Sequence, residues 1–135
     1  MDDYSGVMSP HLAEILYGRY PLIFAERHLP ADQSCMPRGI ETGDGWFDLI
    51  DALCTQLQWD ADHEISPQPV VVQVKEKFGS LRFRLRHPTE RQHGMQMLAL
   101  ELSTRLCEHC GTPRGSHAPE AIACQHQRQD RSATT

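Results

Sequence analysis

The sequence predicts a single α+β domain. A small antiparallel sheet built on one β-hairpin is covered by two or three helices and ends in a zinc knuckle. Three observations carry this. Residues 70–86, VVVQVKEKFGSLRFRLR, alternate apolar and polar side chains on either side of Phe78-Gly79, the pattern of two half-buried strands around a tight turn. Residues 44–59, DGWFDLIDALCTQLQW, place Trp46, Ile50, Leu53 and Leu57 at helical spacing. A second apolar-periodic run ends in Cys107-Glu108-His109-Cys110-Gly111, a turn that brings two thiolates onto one ion.

Composition bounds the rest. A chain of 135 residues with 39% hydrophobic side chains can bury a modest core without disulfides. A net charge of −5 and a pI of about 5.9 speak against a general grip on nucleic acid. No apolar run is long enough to span a bilayer. The opening MDDYSGVMSP has neither the basic nor the apolar region of a signal peptide, so a cytoplasmic protein with reduced thiols is expected. The five cysteines are unevenly spaced, which suits a metal site plus structural thiols better than a disulfide framework.

In chain order, Ser9-Pro10 marks a helix start, with Ser9 as N-cap and Pro10 at the first helical position. Tyr17, Tyr20, Leu22, Ile23 and Phe24 form an apolar patch around Pro21, which stops a simple continuation of that helix. Residues 28–43, with two prolines and two glycines, read as loop. Asp44 is the expected N-cap of the helix over 44–59. Asp60, Asp62, His63 and Glu64 lie close in sequence but fit a solvated break better than a divalent-ion loop. In the hairpin, Val70, Val72 and Val74 are expected on one face with Leu81, Phe83 and Leu85. Thr89 with Gln92 matches a capping box at the start of a helix over 89–106, along which Met95, Leu98, Leu102 and Leu106 form the expected buried stripe. The expected division is a core over 1–106, a knuckle over 107–126 packed on or following it, and a polar, disordered tail over 127–135.

Two constellations carry chemistry. Cys107 and Cys110 need further ligands, and Cys124 follows Cys110 after thirteen intervening residues, with His126 just beyond. Cys107, Cys110, Cys124 and His126 form the expected four-coordinate structural zinc site, with His117 and His109 as alternatives for the histidine. The C-x-x-C pair follows a helix C-terminus, whereas redox pairs sit at helix N-termini. The second constellation is the hairpin's cationic side: Lys75, Lys77, Arg82, Arg84 and Arg86. It can meet an acidic partner or phosphates, form the solvated side of a sheet, or pair with the protein's own carboxylates. Eight histidines are scattered singly, and no nucleophile elbow, phosphate loop or zinc-protease motif is present, so no enzyme is expected.

Three segments together resemble a group of small proteins encoded by phages and prophages. They are Gly45-Trp46-Phe47-Asp48-Leu49-Ile50 with Leu53-Cys54, Val74-Lys75-Glu76-Lys77-Phe78-Gly79-Ser80-Leu81-Arg82-Phe83, and Cys107-x-x-Cys110-Gly111. The resemblance spans about residues 20–126. The chain departs from the group's pattern at Arg84, where a tyrosine is usual, and at Cys124-Gln125-His126, where Cys-x-x-His is usual. The resemblance implies a phage origin and a small accessory role. The expected function is binding to a protein partner, as in an inhibitor of a host defence nucleoprotein complex of the anti-CRISPR type. The alternative is a zinc-containing regulator that binds nucleic acid through the basic hairpin face.

Overall fold

A computed structural model describes residues 6–115, 118, 119, 122–124 and 126. The expected tail at 127–135 lies outside the described residues. Helix α1 (Pro10–Arg19) starts where the Ser-Pro pair predicts. The Ser9 hydroxyl makes no capping bond; its backbone N–H instead donates to Asp44 Oδ1 at 2.8 Å. Asp44 therefore serves the start of α1 and not its own helix. Asp44–Trp46 form a 3-10 turn, and helix α2 runs from Phe47 to Asp62, through the start of the expected break.

The sheet has three strands, and the expectation of a purely antiparallel sheet is corrected at one edge. Strand β1 (Ile40–Glu41) comes from the segment expected to be loop and pairs parallel to β2 (Val71–Lys77). Strand β3 (Ser80–Leu85) pairs antiparallel to β2, which is thus the inner strand. Two residues are too few to leave a periodic signal, and α2 supplies the crossover that a parallel pairing needs. The register of β2 shifts between Val71 and Gln73. Such a bulge moves following residues to the other face, so Val71 and Val74 are both fully buried while Val72 is not. This corrects the expected Val70, Val72, Val74 face.

The core lies between this face and the helices. Trp46, Ile50, Leu53 and Leu57 from the α2 region meet Val74, Leu81 and Phe83 from the sheet. Phe24 stands edge-on to both Tyr17 and Phe83, with ring centroids 5.2 and 6.4 Å away. This geometry adds to the area the rings bury.

Helix α3 (Glu90–Ser103) has the full capping box of Thr89 and Gln92. Its buried side is not the expected stripe. Gln92, Ala99 and Ser103 are buried, while Leu98 and Leu102 stay exposed. The reason is what α3 covers. Leu81 N–H donates to Ser103 Oγ at 2.7 Å, and Gln96 Nε2 donates to the Phe83 carbonyl at 2.5 Å. These are outward-facing backbone groups of an edge strand, and α3 answers them with polar side chains, closing the edge to other strands. Leu98 and Leu102 instead line an apolar groove of about 170 Å³ between α2 and α3. Among the described residues, no helix is long and apolar enough to cross a membrane.

Helices α2 and α3 are pinned at both ends. At one end the Trp46 indole Nε1 donates to the Leu106 carbonyl at 3.1 Å. At the other, Arg91 Nε donates to Asp60 Oδ2, whose side chain has no exposed surface. The Arg91 guanidinium holds the Asp60 carboxyl below its ordinary value; burial opposes this, and Gln56 adds a further hydrogen bond. A lowered folded-state value means the stabilisation is complete above the unfolded value, about pH 4. It fades as the pH falls through the folded-state value. Asp60→Asn is therefore expected to lower the melting temperature at pH 7 and to flatten the loss of stability below about pH 4, which thermal melts across pH will read.

Candidate metal centre

Beyond α3 the chain turns at Thr104–Leu106 and forms a short loop tied at its base. Leu106 and Pro113 form an isolated antiparallel bridge. Cys107 N–H donates to the Thr112 carbonyl and Gly111 N–H to the Cys107 carbonyl, both at 2.8 Å. Gly111 sits at φ +79°, a conformation glycine adopts without a steric cost. The turn aims backbone amides at sulfur: His109 N–H lies 3.3 Å from Cys107 Sγ. The second segment joins through Cys124 N–H, which donates to the Pro113 carbonyl at 2.9 Å. It repeats the device, with His126 N–H 3.2 Å from Cys124 Sγ.

These turns bring Cys107, Cys110, Cys124 and His126 together, with one ligand atom from each within 4.8 Å of all the others. Cys110 Sγ is 3.2 Å from Cys124 Sγ, and His126 Nδ1 is 3.3 Å from the same sulfur. Four such groups are placed to hold a metal ion. Of the alternatives for the histidine, His109 lies outside the cluster, with its ring 5.4 Å from that of His126. His117 lies outside the described residues. The acidic run of 60–64 is dispersed: Asp60 pairs with Arg91, Asp62 accepts from Gln58, and His63 stacks on Trp59.

The electrostatics of the cluster suit a cation. As a thiol, Cys107 is pushed up to about 12, by burial first and then by the neighbouring thiols. Burial also raises Cys110, but hydrogen bonds from the Thr112 hydroxyl and amide outweigh it and bring that thiol below its ordinary value. Hydrogen bonds to Cys124 and Cys110 raise His126. The buried Cys107 thiol resists becoming a thiolate, and a divalent ion removes that resistance by replacing its proton.

The knuckle is fastened to the core at a site the sequence reading did not single out. Glu108, buried between the two cysteines, accepts the Gly43 N–H at Oε2 (2.8 Å), and its carbonyl accepts the Gly45 N–H (2.7 Å). A Cβ on Gly45 would stand 2.4 Å from the Cys107 carbonyl oxygen and 2.5 Å from Gly111 N. The signal available was the Gly-Asp-Gly of 43–45 just before a helix, together with a carboxylate inside a C-x-x-C loop.

The cationic side of the hairpin divides. Lys75 and Arg82 are direct cross-strand neighbours, Glu41 extends the same row from β1, and Arg84 donates to Gln73 Oε1 at 3.0 Å. Lys77 is exposed beside the turn. Arg86 is engaged internally in a bidentate pair with Glu26, at 2.6 and 2.8 Å. Of the possibilities for these cations, pairing with the protein's own acid therefore holds for Arg86.

In comparisons with protein-family models, curated proteins and solved structures, nothing matches this chain.

Cys110→Ser or Cys124→Ser is expected to abolish stoichiometric metal uptake, while His109→Ala leaves it intact, as read by titration with cobalt(II) and its thiolate absorption. Gly45→Ala is expected to destabilise the fold by more than about 2 kcal/mol in urea melts, because every close atom is backbone. Gly94→Ala, with nothing within 4 Å of its Cβ, is expected to stabilise it by about 1 kcal/mol.

Proposed function

We propose that this chain is a non-enzymatic accessory protein that binds another protein through the outer face of its hairpin, with zinc as the staple of its C-terminal knuckle. The observation that carries the binding role is the Lys75–Arg82 pair. Like charges directly opposite on neighbouring strands destabilise a sheet; Glu41 flanks Lys75 from β1 and offsets part of that cost, while Arg84 and, at the turn, Lys77 add further cations to the same face. One carboxylate among four cations leaves a surplus of positive charge on this face, which an acidic partner meets. Arg86 belongs to the fold through Glu26 and is left out of this surface.

Three thiolates and an imidazole in a compact set favour zinc over harder ions. Such a set has no free position for a substrate, so zinc here builds structure. Thiolates that hold zinc have to stay reduced, which supports a cytoplasmic setting. The wider role, inhibition of a host defence complex of the anti-CRISPR type, rests on the resemblance to small phage proteins and on the net charge of −5, which suits a partner that holds nucleic acid in a basic groove.

Affinity capture from nuclease-treated host lysate is expected to recover a stoichiometric protein that the Lys75→Ala/Arg82→Ala variant loses. Recovery of nucleic acid alone, with binding that falls steeply with salt, would replace this role with that of a nucleic-acid-binding regulator. Metal analysis of the same sample is expected to give a single zinc per chain, and less than about half an equivalent overturns the zinc assignment.

A further inference from the structure

The hairpin turn is made of the wrong residue for stability. Lys77 pairs with Ser80, leaving Phe78 and Gly79 as the two central residues, at φ +55° and +79°. Positive φ at both positions defines the type I′ turn, for which Asn-Gly or Gly-Gly is preferred. A phenylalanine there places its Cβ against its own backbone. It also gains nothing by burial, because Phe78 is 89% exposed, more than any other large apolar side chain described. The turn beneath it is rigid: Gly79 N–H donates to Glu76 Oε2 at 2.7 Å, and Ser80 Oγ donates to the Lys77 carbonyl at 2.9 Å. Two cations also flank it. Lys77 Nζ lies 5.6 Å from the ring centroid, and the Arg114 guanidinium stands beside Gly79.

A strained backbone that holds an exposed aromatic on a rigid turn is a pre-organised anchor. We infer that Phe78 is the hot spot of the docking surface and that it inserts into an apolar cleft rimmed by carboxylates on a partner protein. Lys77 and Arg114 would meet those carboxylates, and the Lys75–Arg82 row would extend the contact along the sheet. This rests on the protein-binding role proposed above and names the chemistry of its partner. A nucleic-acid strand fits less well, because stacking platforms use successive aromatics, and the chain carries a net charge of −5.

The test uses the full zinc-loaded chain and Phe78→Asn, which installs the preferred Asn-Gly turn. The probes are short peptides with a central Leu or Trp flanked by Asp and Glu, the same peptides flanked by Lys, and an oligo-dT strand. Amide NMR titrations are expected to show residues 76–80 shifting with the acid-flanked peptides only. Phe78→Asn is expected to weaken that binding at least about tenfold while the melting temperature holds or rises by about 4 °C. A clear fall in melting temperature would make Phe78 a structural residue and overturn the inference. So would equal shifts with Lys-flanked peptides or oligo-dT, or no shifts at all. Binding that survives Phe78→Asn but is lost in Lys75→Ala/Arg82→Ala also overturns it, while leaving the wider face as the docking surface.

Discussion

The contact between the knuckle and the start of α2 is the constraint on which most of the structure depends. Gly43 and Gly45 present two N–H groups at a turn where a helix begins, and Glu108 answers both, one with its carboxylate and one with its carbonyl. The approach is so close that only glycine fits at 45. Trp46, fully buried in the core, reaches back with its indole to the Leu106 carbonyl. The chain segment that carries two thiols is thereby held against the largest side chain of the core. An ion held by that segment then acts on the whole fold, since whatever orders Cys107–Cys110 also orders Glu108 and the start of α2.

The same economy of polar groups governs the sheet. β2 is inner and β1 covers one side of it. The exposed backbone of β3 is closed by Ser103 and Gln96 from α3. Recruitment of a further strand through that edge is blocked. The surface proposed for a partner is made of side chains instead, the cations of the outer face and the phenylalanine at its tip. Everything else about the hairpin serves the fold, from the buried Leu81 and Phe83 to the Arg86–Glu26 pair that ties its far end to the segment after α1.

Strain and stability therefore sit in different places. The stabilising features are buried and reciprocal, such as the α3 capping box and Asp60 held by Arg91. The costly ones lie on the hairpin's outer side: the opposed, half-buried Lys75 and Arg82, and the exposed Phe78 at positive φ. The contact with another molecule proposed above would account for costs placed on this side of an otherwise consistent fold.

The sequence by itself determined the features that depend on neighbours in the chain. These are the hairpin turn at 78–79, the start of α1, the capping box of α3, the amphipathic α2 and the C-x-x-C-G turn. Each follows from local sterics or a short period, so the residues that cause it lie within a few positions of each other. Only the tertiary structure decided the rest. A two-residue strand has no period, and its parallel pairing depends on a distant partner. The bulge that turns Val71 inward is a register event between two strands. The buried side of α3 was misread because an open strand edge calls for serine and glutamine where a core calls for leucine. His126 and not His109 completes the cluster because the fold around Pro113 sets where Cys124 lies. Long-range contacts assign these roles, and no local pattern carries them.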